Sequence, residues 1–349
     1  MKNLFVFPLS EEIVSILRHG GFNQYRFIFY EEFTTNEFVV NSPQFIKLKS
    51  WEDLTDQCCD ALIIREDNVP LFKYNQIIDC LIKININVYV VASLAKEMNL
   101  SPSLKDKVHI IAETVSDLNI TVKQLVPIDV PVIAILGDGK FTEKIRIQVI
   151  LQNCFNTLDI SVLSITAKEY ASFLNMEMIP NLIFEPMLLS DKIVALNQFF
   201  YNLIFDKKPD LVLLSVPGAS LPISEQYVED FGEFAYTLCN ALPPDILVRT
   251  LYFNNYDINF FTNDIIKMKY RYNIAPEYYH ISSTSLVYPP SLMDNLGYLK
   301  VNSNTRKQLI KKLCALNLPC TFFEDDNDDN LMSIAKKMIA SLSESFAVI

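Results

Sequence analysis

The sequence predicts an α/β protein with two Rossmann-like or P-loop-like domains, each built around a mostly parallel sheet. The chain has 349 residues, which suits two domains of ordinary size. Half of the residues are apolar and 20% are charged, so a large core can be buried and long disorder is not expected. Short apolar runs also alternate with amphipathic segments, as they do in right-handed βαβ units.

The N-terminal half contains the first series of these units. An apolar strand at residues 4–7 precedes Ser10, which we expect to cap a helix that ends at Gly20. Glu11 and Glu12 suit the positive start of that helix but would repel a phosphate. Since no G-x-G-x-x-G follows the first strand either, we expect no dinucleotide site here. The pattern continues with strands at 26–30, 61–64 and 87–91 and a helix at 71–84.

Prolines mark the boundary between the two domains. Pro127 and Pro131 interrupt the pattern, so we predict an N-terminal Rossmann-like domain at 1–127 and a C-terminal P-loop-like domain at 128–349. In the second domain we predict strands at 132–136, 161–165, 211–216, 246–252 and 320–323, and helices at 142–158, 167–174, 190–205, 226–242, 260–270, 305–316 and 331–342.

The first strand of the second domain leads into the most informative segment, Gly137-Asp-Gly-Lys-Phe-Thr-Glu-Lys144. A P-loop protein binds phosphates at such a turn, through the motif G-x-x-x-x-G-K-[ST]. Here Gly137 and Gly139 are too close together, and Ile145 follows Lys144 where a metal-binding hydroxyl is needed. The segment therefore has the frame of a nucleotide site whose chemistry is missing or altered.

Two interpretations of this segment stay open. The first is an anion cradle at the end of a strand and the start of a helix. The second is a structural turn in which Thr142 caps the helix and the lysines lie in water. The candidate ligand-binding residues of the first interpretation are Gly137, Gly139, Lys140, Thr142 and Lys144.

The strand at 211–216 stands where a Walker B strand would. A Walker B strand should end in an acid that supports Mg²⁺. This strand ends in Ser215, while Asp210 lies at its opposite end. Pro217 and Gly218 follow, and they either line a pocket beside Gly137 or form a simple turn.

Composition excludes several classes of function. A net charge of −11 argues against binding nucleic acid or an anionic membrane. The seven cysteines and three histidines show no spacing typical of a metal site. The chain contains no apolar run near the ~20 residues of a membrane helix and no signal-peptide pattern, so we expect a cytoplasmic protein.

Several segments carry a resemblance to a known family. They are Asp60-Ala-Leu-Ile-Ile64, Val130-Pro-Val-Ile133 with Gly137-Asp-Gly139, Pro209-Asp-Leu-Val-Leu-Leu-Ser-Val-Pro-Gly218 and Asp230-Phe-Gly-Glu-Phe-Ala-Tyr236, followed by Leu251-Tyr-Phe253. The order of these segments, together with an N-terminal strand that ends at Pro8, resembles that of the peptide maturation system proteins of clostridial gene clusters. These clusters make ribosomal, radical-SAM-modified, bacteriocin-like peptides. The resemblance implies a precursor peptide and a radical SAM maturase as partners, and it implies no catalytic residues.

Three functions follow as hypotheses. The first is an accessory protein that binds the precursor peptide or its maturase without catalysis of its own. The second is a nucleotide-dependent peptide-modifying enzyme that uses the segment from Gly137 to Lys144. The third is a small-molecule sensor with a pocket at the domain junction. The sequence leaves the cofactor and the oligomeric state open, with a nucleotide as the disfavoured cofactor.

Overall fold

The computed structural model describes residues 2–30, 45–48, 54, 59–67, 69–98, 104, 106–111, 124–289, 296–316, 318–324 and 327–346. The chain forms two compact units. Unit 1 comprises Met1–Val115 and Lys168–Asn175, and unit 2 comprises Ser116–Ala167 and Met176–Ile349. The predicted boundary between residues 127 and 128 stays a prediction, and the neighbouring residues 112–123 lie outside the described ones.

Unit 1 is a parallel sheet of the Rossmann-like kind. Its elements are β1 (Lys2–Phe7), α1 (Glu11–Arg18), β2 (Tyr25–Tyr30), β3 (Phe45–Leu48), β4 (Cys59–Ile63), α2 (Leu71–Lys83), β5 (Asn87–Val91), α3 (Ala92–Glu97) and β6 (Val108–Ile111). The strands pair in the order β3-β2-β1-β4-β5-β6, and every pairing is parallel. The central strand β1 is buried on both faces, which explains why it reads as an unbroken apolar run.

The start of α1 agrees with the sequence. The Ser10 hydroxyl accepts a hydrogen bond from the Ile13 N–H, and Glu11 and Glu12 lie in the first turn. A carboxylate in the first turn interacts favourably with the positive end of the helix dipole. The predicted cap of this helix is therefore confirmed.

The prediction of a helix at residues 167–174 is wrong. Only a short 3-10 helix forms, at Ala171–Leu174, and Asn175 ends it in the left-handed conformation. Residues 168–175 are part of unit 1. The Lys168 ammonium lies 2.6 Å from a Glu12 carboxylate oxygen, and the Tyr170 hydroxyl donates to the same oxygen. These contacts hold the first residues of the segment outside helical geometry.

Unit 2 is a larger α/β layer structure. Its elements are β7 (Val132–Gly137), α4 (Lys144–Thr157), β8 (Val162–Thr166), β9 (Glu177–Met178), a 3-10 helix (Asn181–Phe184), α5 (Leu189–Lys207), β10 (Leu211–Ser215), α6 (Glu233–Ala241), β11 (Ile246–Leu251), α7 (Ile258–Tyr272), β12 (Tyr278–Ile281), β13 (Thr284–Val287), β14 (Gly297–Lys300), α8 (Ser303–Cys314), β15 (Thr321–Phe322) and α9 (Asp328–Phe346). The main sheet has the order β15-β12-β11-β7-β10-β8-β9 with parallel pairings, and β13 and β14 form a separate antiparallel pair.

Successive side chains of β7 enter two different cores because strand side chains alternate between faces. Ala134 and its alternate neighbours pack with α5 and α6, whereas Ile133 and Ile135 pack with α4 and α9. The sheet is thus covered on both faces, as parallel sheets are in α/β proteins. The predicted α/β fold class is confirmed.

Two helices of unit 2 begin later than predicted. The helix expected from residue 226 begins at Glu233, because Gly232 precedes it with a φ of 72° in the left-handed region. The helix expected from residue 142 begins at Lys144. Within the described residues, no helix combines the length and the apolar character needed to cross a membrane.

Candidate functional site

The segment Gly137–Lys144, here called the 137–144 loop, leaves the central strand of unit 2 at the edge where parallel strands end. β7 lies between β10 and β11 in the sheet. Open α/β sheets bind their ligands at this edge. The sequence therefore places its altered phosphate motif at the position where the fold favours a ligand.

Gly137 is required by close packing within the loop. A Cβ atom at this position would lie 2.4 Å from the Thr142 Oγ1 and 2.8 Å from the Thr250 Oγ1. Real Cβ atoms do not approach other atoms so closely. The Thr142 hydroxyl is buried there and donates to the Gly139 carbonyl, while Glu143 is the N-cap residue of α4. The interpretation of Thr142 as the helix cap is therefore wrong.

Lys144 connects the 137–144 loop to the loop after β10. Its ammonium donates to the Gly139 carbonyl at 3.2 Å and to the Gly218 carbonyl at 2.6 Å. Ser220 reinforces the connection, since its N–H and its hydroxyl both donate to the Gly137 carbonyl. The structure thus brings Gly137, Gly139, Lys144 and Gly218 together.

The remaining predicted residues lie at the margin of this group. Pro217 is half-buried beside Gly218. Lys140 is exposed, and its carbonyl accepts a hydrogen bond from the Tyr252 hydroxyl at 2.7 Å. The Lys140 side chain makes no hydrogen bond or ion pair with the described residues, so its ammonium takes no part in holding the loop.

Acidic residues replace both glycines of the phosphate motif. Counted back from Lys144, the motif places its glycines at positions 138 and 143, where this chain has Asp138 and Glu143. Glu143 has a φ of 64°, a left-handed conformation that glycine adopts readily and other residues adopt at a cost. The loop therefore carries a carboxylate at a backbone position that favours glycine.

The Asp138 carboxylate is bound by a buried arginine on β11. Arg249 donates to Asp138 at 2.5 Å and to the Ser220 hydroxyl at 2.6 Å, and it lies 3.4 Å from Asp264 on α7. Only 2% of the Arg249 side chain is exposed. A free carboxylate at this position would weaken phosphate binding, but Asp138 is paired with the Arg249 guanidinium.

The Glu143 carboxylate is bound by His280 of β12, by Ser283 just after that strand, and by three cationic side chains. The imidazole Nε2 of His280 lies 2.9 Å from it, and Ser283 donates to it through both its N–H and its hydroxyl. Arg146, Arg306 and Lys300 approach it at 3.4, 3.9 and 4.0 Å. These residues form what we call the Glu143 pocket: Arg146, His280, Ser283, Lys300 and Arg306.

The pKa values of the two carboxylic acids shift in opposite directions. Burial raises the pKa of Asp138, and the Arg249 charge only partly opposes that shift. Burial alone would raise the pKa of Glu143, but its hydrogen bond to His280 and the charges of His280 and Arg146 hold that pKa well below its usual range. Burial lowers the pKa of Arg249, but the charges of Asp138 and Asp264 raise it above its usual value. Glu143 and Arg249 are therefore both charged at neutral pH.

The backbone of the loop offers a row of donors. None of the described residues accepts a hydrogen bond from the N–H groups of residues 139–143. Phe141 and Glu143 have left-handed φ angles of 60° and 64°, and Thr142 between them does not. Successive N–H groups in alternating conformations form concave anion sites in other proteins. The backbone thus keeps the donor pattern of an anion cradle.

Side chains that would support a nucleotide-bound metal are missing from the expected positions. Ile145 is buried at the position of the motif hydroxyl. Asp210 lies at the start of β10, where its carboxylate accepts from the Ser161 N–H. Among the described residues, no three His, Cys, Asp or Glu side chains are grouped as metal ligands.

Sequence reasoning missed the residues that hold the loop: Arg249, Asp264, His280, Ser283 and Arg306. One signal was available for Arg249, which interrupts the otherwise uncharged strand Ile246–Leu251. Arginine is almost never fully buried unless it is paired. A charge inside a predicted buried strand therefore indicates an acidic partner, although it does not say which one.

Comparison with known proteins shows the fold alone. No protein-family model and no curated protein matches the sequence. A DUF1611 family protein from Anabaena variabilis has a similar structure, with a TM-score of 0.62 and 11% identity over 97% of this chain and 100% of that one. Chloroplast FtsY from Physcomitrella patens matches with a TM-score of 0.30 and 12% identity over 60% of this chain and 71% of that one.

Proposed function

We propose that this protein works by binding, as an accessory protein of ribosomal peptide maturation, and that it does not turn over a nucleotide. One observation supports the absence of nucleotide turnover. Both glycine positions of the phosphate motif hold acids, and each carboxylate is bound by side chains from another part of the sheet. Asp138 is held by Arg249, and Glu143 by His280 and Ser283.

Hydrolysis of a nucleotide requires parts that this loop lacks. A P-loop enzyme needs a lysine directed at the phosphates, a hydroxyl for Mg²⁺ and an acid at the end of the Walker B strand. Here the Lys144 ammonium bonds two carbonyls, Ile145 replaces the hydroxyl, and Ser215 ends β10. A role in binding needs none of these parts.

The partner is the part of the proposal that rests on sequence. The resemblance to peptide maturation system proteins supports a precursor peptide or its radical SAM maturase as the partner. The net charge of −11 is suited to a basic leader segment, since complementary charge accelerates encounter. The protein would then hold the peptide for a modification carried out by another enzyme.

A nucleotide-dependent peptide-modifying enzyme remains the second candidate. The observation in its favour is the row of N–H donors at residues 139–143, immediately before Lys144 at the start of α4. Such a helix start is an anion-binding position. This candidate requires Asp138 to separate from Arg249 and Glu143 to separate from the residues that bind it. Both carboxylates could then turn away from the row of N–H donors.

Calorimetric titration with the synthetic precursor peptide of the same gene cluster tests the proposal. We expect micromolar binding that weakens with added salt and does not change when ATP and Mg²⁺ are present. The same titration with the purified maturase covers the other partner. If neither partner binds, or if binding requires ATP, the accessory role is wrong and the enzyme becomes the better explanation.

A further inference from the structure

The Glu143 pocket has the donor set of an oxyanion site. One backbone N–H, one hydroxyl, one imidazole and three cationic side chains surround a single carboxylate. Charged donors combined with N–H and O–H groups are the usual means of binding phosphate and carboxylate groups. His280 and Arg306 are almost fully buried, so the pocket is built into the fold.

The residue that fills the pocket does so from an unfavourable backbone position. Glu143 is the N-cap of α4, but its side chain makes no capping hydrogen bond. It adopts a left-handed φ of 64° and reaches residues 137 and 140 positions away in the sequence. Glycine would suit that backbone, so it is the contacts of the carboxylate in the pocket that favour glutamate here.

The pocket is close to solvent. Glu143 is 10% exposed, and Lys300 at its margin is 50% exposed. Phe141, two residues before Glu143, is also exposed and packs edge-on against Tyr298. A movement of one side chain would therefore open the pocket without unpacking the sheet.

We infer that the Glu143 pocket is a ligand site for an oxyanion group, a phosphoryl or a carboxylate, and that Glu143 occupies it as a tethered competitor. The tether gives this carboxylate a high effective concentration. An oxyanion group of a ligand therefore binds only when it displaces the Glu143 carboxylate. The contacts between Glu143 and the residues of the pocket are broken as the ligand binds. This deepens the proposed binding function, because it names the chemistry that the same loop would recognise.

Thermal denaturation of Glu143→Gly in the presence of oxyanions tests the inference. Glycine keeps the backbone conformation and removes the competitor, and a ligand that binds the folded state raises its melting temperature. With inorganic phosphate, pyrophosphate and acetate as probes, we expect Glu143→Gly to need at least about tenfold less anion than the wild type for the same shift. Phosphate against acetate distinguishes the two sources of the oxyanion.

Two further variants locate the effect. Glu229→Gly is the matched control, since Glu229 is exposed and also has a left-handed φ, of 49°. It should respond to the anions as the wild type does. Adding Ser283→Ala to Glu143→Gly removes one pocket donor and should raise the anion concentration needed.

The results that overturn the inference are equally specific. If Glu143→Gly responds no more than Glu229→Gly, or if Ser283→Ala has no effect on its response, the pocket is not an oxyanion site. If Glu143→Gly does not fold in chloride, refolding in phosphate at equal ionic strength is compared with that of the double variant that also carries Ser283→Ala. Greater recovery of the single variant supports the inference, and no recovery or equal recovery of the two overturns it, because phosphate stabilises folded proteins in general. These tests use no peptide, so they fail or succeed independently of the accessory role.

Discussion

Arg249→Met will destabilise unit 2 by about 3 to 5 kcal/mol, because it leaves buried carboxylates without their cation. Asp138 and Asp264 both face the Arg249 guanidinium, and 2% of the Arg249 side chain and 5% of the Asp264 side chain are exposed. Methionine has a similar length and fills most of the space, so the loss reflects charge more than packing. Urea unfolding followed by circular dichroism measures it.

The control for this prediction is Lys267→Met on α7. Lys267 is exposed, so the same loss of a cation should change stability by no more than about 0.5 kcal/mol. Adding Asp138→Asn to Arg249→Met should recover part of the stability, because one of the two unpaired charges is removed. A loss for Arg249→Met equal to that of Lys267→Met would show that Arg249 does not hold the loop.

Glu143→Gln will destabilise the protein by about 2 to 3 kcal/mol at neutral pH, since a hydrogen bond to a charged group contributes about 1.5 to 3 kcal/mol. The amide keeps the size of the side chain and loses its charge. The surrounding His280, Arg146 and Arg306 then lack the carboxylate that they contact. The loss should appear in urea unfolding, and Glu229→Gln on the surface should show almost none.

The same variant should lose its disadvantage in acid. The pKa of Glu143 is lower in the folded protein than its usual value of 4.5, so its contribution is complete above that value and declines as the pH falls towards the folded pKa. The difference in unfolding free energy between wild type and Glu143→Gln should therefore shrink below about pH 4.5. A constant difference down to about pH 3 would contradict the lowered pKa.

The sequence predicted the fold because the fold depends on patterns that are local. The buried strand β7 reads as an apolar run, the Ser10 cap stands directly before its helix, and strands alternate with helices. Short or polar strands were missed for the same reason. β12 has four residues and includes His280, so no apolar run marks it.

The sequence indicated the candidate loop, but not the contacts that hold it in the fold. The motif indicated the 137–144 loop and its lysine. What decides the chemistry is a pair of contacts between residues far apart in the sequence: Asp138 meets Arg249 at a separation of 111 positions, and Glu143 meets His280 at 137. No local pattern encodes such a pairing, since strand order and register bring these residues together. In the sequence alone Asp138 is a charge that would repel a phosphate, whereas in the fold it is paired with Arg249.

The most direct test of the central claim, that the loop is clamped and does not serve a nucleotide, is calorimetric titration with ATP and GTP in the presence of Mg²⁺. The wild type, Lys144→Ala and the exposed control Lys140→Ala should be measured side by side. We expect no Mg²⁺-dependent binding heat at micromolar nucleotide for any of them. Micromolar, Mg²⁺-dependent binding by the wild type that Lys144→Ala abolishes and Lys140→Ala preserves would contradict the claim and establish a nucleotide site at this loop.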